Sequence, residues 1–199
     1  MIFRASMVGD LMSYPEEGKI PDGAITILDR MIDQQIIKWQ DAPLDFFTLQ
    51  KGIQCEEDSI ELYNDIHDTF YIKNIERITN GLLTGECDLL DSKLSLVIDI
   101  KTAYSKSTFK TRLKLSKLYE WQLRAYMYLY NVDHAELAYC LVDTPTELIK
   151  AKDPLEWHIM ADVELKHRVS TLRIERDLEK EQQLLNRLAL CSQYIEEAL

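Results

Sequence analysis

No apolar run in this 199-residue chain approaches the roughly 18 residues of a membrane-spanning helix, so a helical anchor is not expected. The first residues, Met1-Ile2-Phe3-Arg4-Ala5-Ser6, contain neither an apolar signal core nor an Arg-rich transit pattern, which makes a cytoplasmic protein the expectation. Cysteine is sparse: Cys55, Cys87, Cys140 and Cys191 form no C-x-x-C pair and no tight Cys/His cluster. That spacing excludes a structural zinc or iron–sulfur site and leaves buried thiols as the expectation. Positive charge is also in deficit, with 23 Lys and Arg against 34 Asp and Glu and a net charge of −11, which argues against a general polyanion binder. Repeats, low-complexity tracts and linkers are absent, and the length suits a single domain over 1–199.

Hydrophobic periodicity divides the chain into helices, then strands, then both. Ser6 stands where it would cap a short helix over 7–12, ended by Tyr14-Pro15. Asp22 would cap a second helix over 24–39, with Ile25, Leu28, Ile32, Ile36 and Trp39 at helical spacing. A loop over 41–45 with Pro43 follows, then a third helix over 49–66. The period then becomes two. Strands are expected over 70–79, 82–90 and 94–102, with turns at Asn80-Gly81 and Asp91-Ser92-Lys93. A helix over 119–131, a strand over 135–142, a strand over 168–176 and an amphipathic helix over 178–199 complete the order. This predicts an α/β protein with a central mixed sheet, an antiparallel meander within it, and flanking helices.

Several charged residues fall on unexpected faces. On the third helix Glu57, Asp58, Glu61 and Asp65 share a polar arc with Asn64, whereas Glu56 falls between Ile60 and Tyr63 on the apolar arc. A charge there is costly without a partner or a metal, unless the side chain bends outward to water. In the strand over 94–102 Leu94, Leu96, Ile98 and Ile100 share one face, and Asp99 and Lys101 share the other. A two-residue turn at Ser92-Lys93 would place Asp88 opposite Val97 and diagonal to Asp99. Such neighbours are about 7–8 Å apart, a gap that one divalent cation can bridge. The same register puts Glu86 opposite Asp99 as a reserve ligand. An exposed hairpin face with an Asp–Lys ion pair fits the same pattern.

Positive charge is concentrated just beyond this point. Between Lys101 and Leu118 stand Lys106, Lys110, Arg112, Lys114 and Lys117 with no Asp or Glu, and Tyr104 and Phe109 are interleaved. Such a strip suits phosphates by counterion release and bases by stacking; it also suits a solvated loop. On the helix over 119–131, Gln122 and Tyr126 lie one turn apart on an apolar face, where a buried Gln needs partners.

In combination these residues resemble the PD-(D/E)XK nucleases, within them the phage exonuclease group of lambda exonuclease, YqaJ-like proteins and the RecB nuclease domain. Gly85-Glu86-Cys87-Asp88 is similar to the first acidic motif, with Cys87 where the family has proline, and Asp99-Ile100-Lys101 is similar to (D/E)-x-K. Gly52-Ile53-Gln54-Cys55-Glu56 resembles the helix supplying a further carboxylate, and Gln122-Leu123-Arg124-Ala125-Tyr126 the Q-x-x-x-Y helix. The resemblance spans 4–145; the strand and helix over 168–199 carry no recognised motif.

The resemblance implies a restriction-endonuclease-like core and phosphodiester hydrolysis of DNA with Mg²⁺ or Mn²⁺. Asp88, Asp99 and the Ile100 carbonyl would hold the metal, with Glu56 as a further ligand. Lys101 would position and help deprotonate the attacking water, and Gln122 and Tyr126 would orient substrate and strand. It also implies a 5′-end-directed exonuclease on duplex DNA in phage-type recombination, with the host cytoplasm as its place if phage-encoded. A nicking or junction-cleaving endonuclease, and a non-catalytic DNA-binding or DNA-mimicking protein, remain alternatives. Partners in that setting are DNA, a single-strand annealing or other recombination protein, and further copies of the chain. Arg4, beside the helix start at Ser6, is suited to a terminal 5′-phosphate; a surface arginine beside a simple helix cap fits the same pattern.

Overall fold

The computed structural model describes residues 1–13, 18–39 and 47–199. The expected stop at Tyr14-Pro15 and the loop over 41–45 lie outside these residues. In chain order the elements are β1 (Phe3–Arg4), α1 (Val8–Leu11), α2 (Asp22–Ile37), α3 (Phe47–Gln54), α4 (Glu56–His67), β2 (Ile78–Thr79), β3 (Leu83–Gly85), β4 (Leu89–Asp91), β5 (Leu96–Thr102), α5 (Lys117–Tyr130), β6 (His134–Cys140), β7 (Val169–Glu175) and α6 (Leu178–Ala198). The larger sheet has the order β4-β5-β6-β7 and is mixed, since β5 and β6 are parallel and the outer pairs antiparallel. Parallel neighbours need a long crossover, and α5 provides it.

Alternation along β5 assigns the layers. Val97 faces one core with Trp121, Leu123, Met127 and Leu188, so α5 and α6 cover that side. Leu96, Ile98 and Ile100 face a second core with Ile60, Leu62 and Tyr63 of α4. Both faces of the sheet are therefore covered, and Asp99 and Lys101, sharing the parity of Val97, point toward α5. The caps are local: Ser116 Oγ accepts from Tyr119 N at 3.2 Å, and Asp177 caps α6 by accepting from the Glu179 and Lys180 amides. The four cysteines are buried and free, as expected. No helix among the described residues is long and apolar enough to cross a membrane.

Several expected elements differ in detail. The first helix begins as a single 3-10 turn, Ala5–Met7, so Ser6 lies inside it, and no side chain caps it. The second starts at Asp22 behind Pro21 and ends at Ile37, leaving Ile36 and Trp39 exposed. The helix over 49–66 breaks at Cys55. Glu56, Glu57 and Asp58 then form the acidic first turn of α4, where the helix dipole favours them. Of the strand over 70–79 only Ile78–Thr79 pairs. Residues before it are pinned by isolated bonds instead: Asn64 Oδ1 accepts from Tyr71 N at 2.9 Å, Asn74 N donates to the Asp88 carbonyl at 2.7 Å, and Asn74 Nδ2 donates to the Cys87 carbonyl at 2.9 Å. The strand over 82–90 is interrupted at 86–88, and β1, β3 and β2 form a separate small sheet.

The first glycine is a packing requirement. A Cβ at Gly9 would lie 2.5 Å from Leu118 Cα and 2.7 Å from its carbonyl oxygen, so α1 meets the start of α5 backbone to backbone. At Gly52, mid-helix in α3, a Cβ meets nothing within 4 Å. Gly9→Ala is expected to cost about 1–3 kcal/mol through overpacking, lowering Tm by several degrees. Gly52→Ala should leave Tm unchanged or raise it slightly through helix propensity. Equal melting temperatures for the two variants would show that α1 can shift freely away from α5.

Candidate active site

The observed β4–β5 register pairs Asp91 with Leu96, Leu90 with Val97 and Leu89 with Ile98. The connecting loop is thus Ser92–Ser95, with Ser95 at φ 52°, and Asp91 Oδ1 accepts from the Lys93 and Leu94 amides at 2.9 Å each. This is two residues away from the expected register. A slip of two preserves the faces, whereas a slip of one would have reversed them. Continued past Leu89, the register brings Asp88 level with Asp99 rather than diagonal to it. Glu86 is not opposite Asp99; it has left the ladder and pairs with Arg77 at 3.3 Å.

Where β4 ends, Asp88 takes over its hydrogen-bonding role. Its Oδ2 accepts from the Ile100 amide at 2.6 Å. The N–H and C=O of one strand residue point to the same edge, so the Ile100 carbonyl faces the gap that β4 leaves. Asp99 is 2% exposed: its Oδ1 accepts from Gln122 Nε2 at 3.2 Å, and its Oδ2 lies 2.7 Å from Lys101 Nζ without an aligned hydrogen bond. Gln122 Nε2 also donates to the Tyr126 hydroxyl at 3.2 Å. The Lys101 ammonium lies 5.6 Å from the Tyr119 ring centroid. Gln122 and Tyr126 thus act on Asp99 from α5, and the face carrying Asp99 and Lys101 is covered rather than an exposed hairpin.

These charges strain one another. Burial, and then the charge of Asp99, pushes the Asp88 carboxyl up to about 7, against Lys101 and the Ile100 amide, which act in the opposite direction. Burial opposes the Lys101 charge, but Asp99 and Asp88 outweigh it and hold the ammonium above its ordinary range. Lys101 is therefore a donor in this state, not a proton acceptor. Burial and the charge of Asp99 likewise keep the Tyr126 phenol protonated.

Glu56 lines the same cleft as Asp88 and Lys101, with Phe47, Leu49 and Ile53 of α3, Tyr119, Tyr139 and Lys150 around it, in a volume of about 700 Å³. Glu56 is half-buried on its helix and turned to Lys73 Nζ, with which it forms an ion pair. Among the described residues no three His, Cys, Asp or Glu side chains converge on one point. The donor set is thus two carboxylates and a strand carbonyl, with a buried Asp99 oxygen lacking a hydrogen bond. That set fits a hard divalent cation, since magnesium commonly keeps waters and takes one or two carboxylates. Sequence reasoning missed Lys73 and Lys150, which stand outside every motif and arrive only through the fold.

Cys87, between Glu86 and Asp88, is fully buried. Its amide donates to the Tyr130 hydroxyl at 3.3 Å, a bond that proline in its place would lack. The Tyr130 hydroxyl also accepts from Asn74 Nδ2 and donates to the Glu76 carbonyl at 2.5 Å. Gly85 packs so closely on α5 that a Cβ would come 2.9 Å from the Tyr126 ring.

A second cleft of about 450 Å³ is lined by Tyr126 together with Arg4, Ser6, Arg77, Thr84, Gly85 and Glu86. The structure thus brings Arg4 and Ser6 together there, although Ser6 caps nothing. The basic strip is irregular between β5 and α5. Lys106 is paired with Asp162, while Lys110, Arg112, Lys114 and Lys117 are exposed. Tyr104 is buried, and Phe109 stacks on Tyr139 at 5.9 Å, so neither ring is free to stack on bases as the sequence suggested.

The PD-(D/E)XK nuclease superfamily matches residues 15–197, and the chain belongs to that superfamily. The match takes in β7 and α6, beyond the Pro145 limit of the sequence resemblance. In fold the chain is similar to a phage-related exonuclease from Haemophilus somnus 129PT, with TM-score 0.88, 24% identity, and coverage of 99% of this chain and 94% of that one. It is also similar to an alkaline exonuclease, LHK-Exo, from Laribacter hongkongensis, with TM-score 0.67 and 17% identity over 98% of this chain and 90% of that one. LHK-Exo in complex with dAMP aligns at TM-score 0.63, with the same identity and coverage. No curated protein sequence matches the chain.

The Asp88–Asp99 repulsion has a measurable consequence. An acid raised from 3.8 to about 7 on folding stabilises the metal-free protein fully below pH 3.8, and that contribution is lost as pH rises toward 7. Asp88→Asn, which keeps an acceptor for Ile100, is expected to raise the metal-free Tm by roughly 4 °C or more at about pH 8. The gain should vanish near about pH 4. A pH-independent difference in thermal melts would contradict this account of the site.

Proposed function

We propose that this protein is a DNA exonuclease, dependent on Mg²⁺ or Mn²⁺ and directed to the 5′ ends of duplex DNA. The observation that supports it best is one hydrogen-bonded chain: Asp99, beside Lys101 and the cleft that Asp88 lines, is held by Gln122, and Gln122 also bonds Tyr126, which lines the second cleft with Arg4 and Ser6. Chemistry and end recognition would then be joined through Gln122 and Tyr126.

In this reading Asp88, Asp99 and the Ile100 carbonyl hold the cation, with Glu56 reaching it from α4 once released from Lys73. When bound, the cation supplies Lewis acidity toward the phosphate and the attacking water. Lys101, held protonated, orients that water and offsets charge developing on the phosphate. Gln122 keeps Asp99 in its rotamer, and Tyr126 keeps Gln122. Lys110, Arg112, Lys114 and Lys117 form the exposed track for the DNA backbone, joined by Lys106 if DNA displaces Asp162.

Asp99→Ala and Lys101→Ala are each expected to lower the rate on end-labelled linear duplex at least about a hundredfold. Wild type should leave closed circular duplex intact. Nicking or linearisation of the circle would favour an endonuclease, and undiminished cleavage by Asp99→Ala would remove the site assignment.

Arg4→Ala is expected to abolish most of the preference for 5′-phosphoryl over 5′-hydroxyl ends, a loss of about tenfold for one charge-assisted contact, while slow cleavage persists. Rates on the two substrates decide it. If wild type shows no such preference, or the variant retains it, Arg4 does not read the end.

A further inference from the structure

Lys150 belongs to no motif and lies well beyond the basic strip, yet it lines the catalytic cleft with Glu56, Asp88 and Lys101. Its position is set by Tyr104. The Tyr104 hydroxyl donates to the Leu148 carbonyl at 2.9 Å and accepts from the Lys150 amide at 3.1 Å, clamping the backbone on both sides of Ile149. The same ring carries the Lys150 ammonium, 4.8 Å from its centroid.

That seat is rigid because Tyr104 is itself held from behind. Its carbonyl accepts from Lys51 Nζ at 3.1 Å and from Thr144 Oγ1 at 2.9 Å, and its ring meets His158 edge-on at 5.0 Å. Lys51 is fully buried on α3 and also donates to the Val142 carbonyl and to Thr144 Oγ1, each at 2.8 Å. One buried network therefore joins the α3 wall of the cleft to the segment bearing Lys150.

The charges complete the argument. Two lysines line the cleft; Lys101 is paired with Asp99, and Lys150 has no carboxylate partner among the described residues. In a chain of net charge −11, an unpaired ammonium seated over an aromatic face beside acids is placed for an anion that arrives from outside. We propose that Lys150 is a substrate-binding residue that contacts a backbone phosphate of the DNA strand entering the catalytic cleft. This rests on the nuclease reading above. The competing role is structural, with Lys150 only covering the Tyr104 ring.

The test uses the full chain as wild type, Lys150→Gln, Lys150→Arg and Lys152→Gln, the last altering an exposed lysine outside the cleft. Binding to end-labelled linear duplex is measured in EDTA across a salt series, and KM and kcat are measured with Mg²⁺. Lys150→Gln is expected to weaken binding about tenfold and to flatten the log–log salt slope by about 0.9. KM should rise by a similar factor with kcat within about twofold, Lys150→Arg should recover most of the loss, and Lys152→Gln should match wild type. A lowered Tm for Lys150→Gln with unchanged slope and KM overturns the proposal in favour of the structural role. Equal effects at Lys150 and Lys152 overturn it as well. Failure of wild type itself to cleave any DNA overturns the nuclease reading, and this inference with it, before any variant is compared.

Discussion

Two carboxylates, Asp88 at the cleft and Asp99 buried behind it, are held close together beside a single lysine, Lys101, and much of the surrounding structure keeps them there. Left to themselves they would separate or one would take up a proton. Asp88 is tied to the Ile100 amide at 2.6 Å, and Asp99 is fixed by Gln122 and faces Lys101. The repulsion that remains makes the site receptive to a compact cation. The energetic cost falls on folding, and a bound cation would offset it.

The interrupted second strand is what makes the site accessible. A continuous strand from Leu83 to Asp91 would have closed the edge of β5 and satisfied the Ile100 amide by ordinary pairing. Instead the chain leaves the ladder at 86–88, and Asp88 substitutes a side-chain acceptor for a backbone one. The departing backbone is held by Asn74 and Tyr130, whose hydroxyl takes the Cys87 amide. Cys87, the departure from the family pattern, is thus accommodated by a partner that the proline version would not use. On the other side, the break at Cys55 re-aims α4 so that Glu56 faces the cleft from a helix N-terminus, where a carboxylate is favoured.

The fold class, the layers and the central acids were legible in the sequence because each rests on a local regularity. Period-two alternation separated Asp99 and Lys101 from Leu96, Ile98 and Ile100, and the helical arc placed Glu56 among apolar residues. The register of the β4–β5 hairpin was misjudged by two residues, yet the face assignment survived, because strand faces repeat every two. The segment over 70–77 alternates like a strand, but its backbone makes isolated bonds, Asn74 N to the Asp88 carbonyl and Tyr71 N to Asn64, rather than a ladder, and periodicity does not report whether a ladder forms. Three successive acids at 56–58 signalled a helix start inside the expected third helix, and continuous helical spacing concealed it.

The sequence by itself determined which residues are candidates for the chemistry and on which face of its own element Asp99 and Lys101 lie, since propensity, periodicity and motif act over a few neighbours. Only the tertiary structure decided who meets whom. Glu56 is turned to Lys73, Glu86 to Arg77 and Lys106 to Asp162, all pairs brought together from separate elements or loops. Lys51 passes through the core to reach Tyr104, Val142 and Thr144, and Lys150 reaches the cleft across the ring of a tyrosine 46 residues earlier in the chain. Such meetings depend on how the layers close over one another, and charge complementarity across that distance leaves no periodic mark in a single sequence.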